Sequence, residues 1–205
     1  METKRYTGTA IGLHWLIALM ILISFSVGLY MVDLPLSPAK LKIYSWHKWA
    51  GVTIFMLVVL RCSWRLFHSP PALPESMPRW QIRVAEVTHY LLYALMFAIP
   101  LSGWLMSSAK GFQTVYFGVL PIPDLLGKNK ELGETLTTVH VWLNYLMITT
   151  VAVHAAAALK HHFIDRDDIL KRMLPQRSRV ASADAPIVAE PSPVAPLPEE
   201  AARHE

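Results

Sequence analysis

The chain has 205 residues, 53% of them hydrophobic, and a net charge of +4. Its mean hydropathy of +0.34 is far above that of soluble domains. One cysteine, Cys62, excludes an intrachain disulfide and a cysteine-ligated cluster. The positive charge falls mostly in segments beside apolar runs, so it reads as membrane topology and not as a nucleic-acid footprint. No P-loop, GxGxxG, GxSxG, HExxH or EF-hand pattern occurs.

Met1–Thr9 is a short polar arm with Lys4 and Arg5. The apolar run after it is too long for a signal-peptide core and lacks a small-residue cleavage site. Span one is predicted over about residues 10–32, with His14 one turn inside and Trp15 as an interfacial anchor. A loop with two prolines and two lysines follows. Span two covers about 47–67, opening on His47. Arg61 and Arg65 share a face near its far end, where they either snorkel to headgroups or bind an anion such as a haem propionate. The loop HSPPALPESMPRW is too proline-rich to be helical throughout.

Span three, about 84–107, carries His89, and Pro100-Leu-Ser-Gly103 is expected to kink or loosen it. Residues 108–134 read as a long loop whose aromatic centre, FQTVYFGVLPIPDLL, suits the membrane surface. Span four, about 135–163, carries His140 and His154. An acidic-then-basic segment follows and is read as a short interfacial helix. The expected organisation is all-α, one four-helix membrane domain over 1–176. An Ala/Pro/Glu-rich tail over 177–205 reads as disordered. Eleven lysines and arginines fall on the side of both termini and six on the other. Both termini are therefore predicted cytoplasmic.

His140 and His154 are fourteen residues apart. That is close to four helical turns, so both imidazoles lie on nearly one face, roughly 21 Å apart. Ionisable residues inside a span are costly and by default functional. With alternating spans, His14 and His154 share the inner edge, and His47 and His140 share the outer edge. A low-spin b-type haem takes two axial imidazoles from opposite sides, which facing helices of a bundle supply. The expectation is an inner haem between His14 and His154 and an outer haem between His47 and His140. Zinc is the competing metal, but it prefers clustered ligands with cysteine or carboxylate, which these spans do not place nearby. His89 is left over near the inner edge, as an alternative inner ligand or a propionate contact. His161 and His162 stand at the inner surface; an imidazole there suits hydrogen bonding to a quinone carbonyl, or is simply a solvated helix end.

Ordered motifs resemble the bacterial cytochrome b561 family over about residues 5–176. They are His14-Trp15; Trp46-His47-Lys48 with Gly51, Arg61 and Arg65; and His89-Tyr90 with Pro100 and Gly103. His140, then His154 through His161-His162-Phe163, and an ending from Asp167 to Pro175 complete the set. The resemblance implies a four-helix di-haem b cytochrome of the bacterial inner membrane. The short members it most resembles are superoxide:ubiquinone oxidoreductases. They oxidise superoxide to O₂ at the periplasmic face and reduce ubiquinone in the membrane. By that resemblance the haem ligands match His14 with His154 and His47 with His140, and His161 is associated with quinone. Lys40, Lys42, Lys48, Lys110, Lys128 and Lys130 would then attract the superoxide anion, with Lys48 and Lys110 nearest in role to catalysis. The competing functions are an electron-transfer subunit docked to another redox protein, as in nickel–iron hydrogenase, and a haem-free, non-enzymatic transporter or structural bundle.

Overall fold

A computed structural model describes residues 5–72 and 77–175; the tail expected over 177–205 lies outside the described residues. Four long helices dominate: α1 Gly8–Val32, α2 Pro38–Phe67, α3 Arg79–Ala109 and α4 Lys130–Phe163. Each is long and apolar enough to cross a membrane. The shortest, of 25 residues, extends about 37 Å, more than the roughly 30 Å of a hydrocarbon core.

Three helices begin well before the apolar spans read from the sequence. Local capping explains two of these starts. Ser37 caps α2, its hydroxyl accepting from Lys40 N, and Pro38 sits in the first turn. Asn129 caps α4 through Leu132 N. Helix α3 starts at Arg79 after Pro78, with no side-chain cap. Thr7 caps α1 through Ala10 N, 3.3 Å, and also accepts from the Trp64 indole at 2.9 Å. Thr7→Ala removes the cap and orphans a Trp64 donor. It should lower stability by about 1–2 kcal/mol, read as a lower thermal midpoint in detergent.

The helices alternate in direction. Close packing joins α1 to α2, α2 to α3 and α3 to α4. Ile17, Ile54 and Val58 form the buried core, with Met20, Leu57, Met96 and Phe97 against it. Helices α1 and α4 instead meet through side chains, including Phe25 edge-on to Tyr145 with ring centroids 6.3 Å apart. That wider seam leaves room for a flat group between them. Much of the remaining apolar surface points outward; Leu66 and Phe67 are each 83% exposed. In lipid this costs nothing, because acyl chains are as apolar as leucine.

At the end where the α1–α2 and α3–α4 connections lie, the segment read as a long loop holds a small hairpin, Val115–Tyr116 paired with Leu120–Pro121. Phe117 has φ 50°, a strained value for a bulky residue. Its ring packs on Trp49 with centroids 5.1 Å apart, which offsets the strain. The Trp49 indole donates to Val115 O, 2.7 Å, and Thr53 Oγ1 meets the Tyr116 hydroxyl at 2.9 Å. This ties the hairpin down as a cap over the bundle. At the opposite end, residues 164–175 form a strap with one 3-10 turn, Lys171–Met173, where a short interfacial helix was expected. Arg5 donates to Lys171 O and Leu174 O (2.6 and 2.8 Å), the Trp15 indole to Met173 O (2.8 Å) and Arg172 to Ala72 O (2.6 Å).

Candidate cofactor site of paired histidines

Helix α2 carries His47 and α4 carries His140 to the same level near the hairpin. Their ring centroids lie 6.4 Å apart with planes at 83°. Near the strap, His14 of α1 faces His154 of α4 at 6.3 Å and 69°. Two imidazoles ligating one metal axially, at a metal–nitrogen distance of about 2.1 Å, place their centroids about 6.5 Å apart. No hydrogen bond joins the members of either pair among the described residues. Both gaps therefore have the dimension of a shared axial metal. His89 of α3 also approaches His154, at 5.2 Å and 70°. That spacing is about 1 Å too short for a metal between the rings.

The pair near the hairpin is backed by small residues on the neighbouring helices. A Cβ on Gly28 would sit 3.4 Å from His47 Cε1, and one on Gly103 only 3.1 Å from His140 Cε1. Each ring therefore brings its Cε1 up against a bare helix backbone. Ser24 Oγ reaches His47 Nδ1 at 3.3 Å. His140 Nδ1 is 2.9 Å from Ser102 Oγ and 3.2 Å from Ile99 O. A ring N–H donated to a carbonyl fixes the tautomer and leaves the other nitrogen bare for a metal. The Pro100 region, expected to loosen α3, is the docking surface for His140. Pro100 supplies no donor within the helix.

The fourteen-residue spacing of α4 recurs on every helix. His14 and Gly28, His47 and Arg61, His89 and Gly103, and His140 and His154 are each fourteen residues apart. One member of each couple belongs to the layer near the strap and one to the layer near the hairpin, roughly 21 Å apart along the helices. The sequence marks Pro100-Leu-Ser-Gly103 only as a kink and leaves Ser24 and Gly28 unmarked, because small residues carry no chemical signal of their own. The fourteen-residue step from His14 and His89 would have found both glycines.

The arginines sit in the layer near the strap. Arg61 donates to Ala10 O at 2.7 Å and to the Tyr93 hydroxyl at 3.2 Å. The Arg65 guanidinium lies over the Tyr93 ring at 5.8 Å. His161 turns its Nδ1 to Asp167 Oδ2 at 2.7 Å and Asp165 Oδ2 at 3.1 Å. His162 Nδ1 is buried without a partner among the described residues. At the hairpin end, the Lys48 ammonium donates to Phe112 O at 2.8 Å. Lys40 closes the α1 carbonyl end by donating to Val32 O and Leu34 O. Lys42 lies over the Trp46 ring at 5.2 Å. The Lys110 and Lys128 stems cross Gly133 and Gly111. These lysines anchor structure, and their charges still add to the field at that end.

A bundle of four membrane helices with facing imidazoles is the architecture of a b-type electron-transfer cytochrome. The profile of the family described as prokaryotic cytochrome b561 matches residues 5–176, and the chain belongs to that family. It is thus a multi-pass electron-transfer protein of the bacterial inner membrane, from a family that binds b-type haem. It is 36% identical over 177 residues to "Cytochrome b561 homolog 2" of Escherichia coli (strain K12), covering 85% of this chain and 94% of that one. "Cytochrome b561 homolog 1" of the same strain is 31% identical over 178 residues, covering 85% and 99%. "Probable superoxide oxidase CybB" of Yersinia pestis is 29% identical over 180 residues, covering 85% and 98%.

Proposed function

We propose that this protein is a di-haem b cytochrome that oxidises superoxide to O₂ at the periplasmic face and reduces ubiquinone in the membrane. The observation that carries the reading is the pair of imidazole couples, 6.4 and 6.3 Å between centroids, at two levels of one bundle. The Yersinia pestis relative named a probable superoxide oxidase lends support to the substrate. Residues 1–176 are the cytochrome domain, and both termini face the cytoplasm because lysine and arginine concentrate on that side.

On this reading His47 and His140 hold the outer haem, and His14 and His154 the inner one. When bound, haem supplies one-electron redox chemistry at each level. The chain's own residues hold, tune and separate. Ser24, Ser102 and Ile99 O fix the outer imidazoles. Arg61 and Arg65 offer cationic donors to the propionates. Lys48 and Lys110, with Lys40, Lys42, Lys128 and Lys130, give the outer face a positive field that draws in an anion. His161 faces the quinone at the inner surface.

The test is an optical difference spectrum of the purified protein with superoxide as reductant, together with a pyridine haemochrome count. Two haems per chain, reduced by superoxide and reoxidised by ubiquinone, are expected. Two haems reduced by dithionite but not by superoxide would replace this reading with an electron-transfer subunit docked to another redox protein. A chain without haem would remove it altogether.

A further inference from the structure

Beyond the haem layers, one cluster of titratable groups is built with unusual care: His161, Asp165 and Asp167, between the end of α4 and the strap. We propose that Asp167 is a positioning residue that holds His161 as a proton donor to the bound quinone. This rests on the reading above that places ubiquinone at His161.

The geometry assigns each atom a task. Asp167 Oδ2 lies 2.7 Å from His161 Nδ1, within the range of a charge-assisted hydrogen bond. Its other oxygen, Oδ1, accepts from Ile169 N at 3.0 Å, so the carboxylate cannot swing away. The strap that carries Asp167 is itself pinned by Arg5, Trp15 and Arg172. His161 therefore keeps its proton on Nδ1. Its Nε2 bonds to no described residue and is free to carry a second proton. Asp167 and, at 3.1 Å, Asp165 both present a carboxylate oxygen to the Nδ1 side of the ring. Asp165 is the lesser partner, because the Lys160 ammonium already holds both of its oxygens at 2.9 and 2.6 Å. That ammonium also disfavours a metal ion in the cluster, although the three ligand atoms lie within 4.8 Å of one another.

The reaction balances without a further reagent. Two superoxide anions each lose one electron and become O₂. One quinone gains the two electrons and takes up two protons to become the quinol. His161 donates Nε2–H to one quinone carbonyl. As that oxygen is reduced, the N–H bond breaks and an O–H bond forms. Nε2 then regains a proton from inner-side water, and the second carbonyl takes its proton from water directly. Through all of this Nδ1–H stays on Asp167, so the ring does not turn.

The experiment follows haem reoxidation by a short-chain ubiquinone in the full-length, haem-loaded protein, after reduction by superoxide. Asp167→Asn keeps an oxygen for the Ile169 cap but removes the charge and presents an NH₂ to Nδ1. Reoxidation should slow about 10- to 100-fold, the usual cost of losing such an outer partner. The quinone KM should stay within about twofold. The solvent deuterium effect should grow, Asp167→Glu should recover most of the rate, and reduction by superoxide should not change. Asp168→Asn removes the exposed carboxylate next door, which pairs with Lys171, without touching the cluster and should leave reoxidation near wild type. An Asp167→Asn rate equal to wild type, with His161→Gln slow, would overturn the positioning role and leave the quinone reading standing. If His161→Gln is also normal, the quinone reading at this site fails and takes the proposal with it. Equal slowing by Asp168→Asn would overturn the proposal in favour of the strap's overall negative charge.

Discussion

Replacing His14 with alanine is expected to remove one of two haems, whereas replacing His89 leaves both in place. The two histidines are near-equivalent by sequence. Both sit within a few turns of the strap end of their helices, and both face His154. Distance separates them. His14 stands 6.3 Å from His154 between centroids, the spacing of two axial ligands, while His89 stands at 5.2 Å. A metal placed between His89 and His154 would be crowded by about 1 Å, well outside the roughly 0.2 Å tolerance of such bonds. His89 therefore flanks the site and does not close it. A pyridine haemochrome count checks this: one haem per chain in His14→Ala, two in His89→Ala. The residual haem in His14→Ala should keep the spectrum of the His47–His140 site. The reverse counts would exchange the roles of His14 and His89.

Polarity decided what could be read without coordinates. An imidazole in an apolar span is costly, so His14, His47, His89, His140 and His154 stand out in a single sequence. Helical rise alone then matches their depths. What polarity does not mark stays hidden. Gly28 carries no mark among nine glycines, and Gly103, like Gly51, stands out only as part of a motif until the His140 ring is seen against it. Hydropathy also stops short of the helix ends. Lys40 and Lys42 lie inside α2 because Ser37 and Pro38 start the helix before its apolar part begins. The strap and the hairpin rest on contacts between residues remote in sequence, such as Arg5 with Lys171, 166 positions apart. No local pattern encodes such a contact; the Asp167–His161 pair is only six residues apart but forms where the chain leaves α4, beyond helical spacing.

The glycines provide the second large expected effect, and a graded one. Gly51 has nothing within 4 Å of an added Cβ, so Gly51→Ala should bind haem as wild type does. At Gly28 the Cβ would meet His47 Cε1 at 3.4 Å, an ordinary contact, and Gly28→Ala should be nearly silent. At Gly103 the same atom comes to 3.1 Å from His140 Cε1 and 3.5 Å from its Nδ1. Here the imidazole must give by a few tenths of an ångström. It is held by Ser102 and Ile99 O, so it yields only by stretching those hydrogen bonds. Gly103→Ala should weaken haem retention at that site about 10- to 100-fold, the scale of a lost outer-shell partner. Gly103→Leu leaves no room for the ring and should bring the count from two haems to one. Because His14 and His154 lie roughly 21 Å away along the helices, the surviving haem should be theirs. The spectrum should then match that of His140→Ala, not that of His14→Ala. A Gly103→Leu protein that still holds two haems would mean that His140 does not rest against α3.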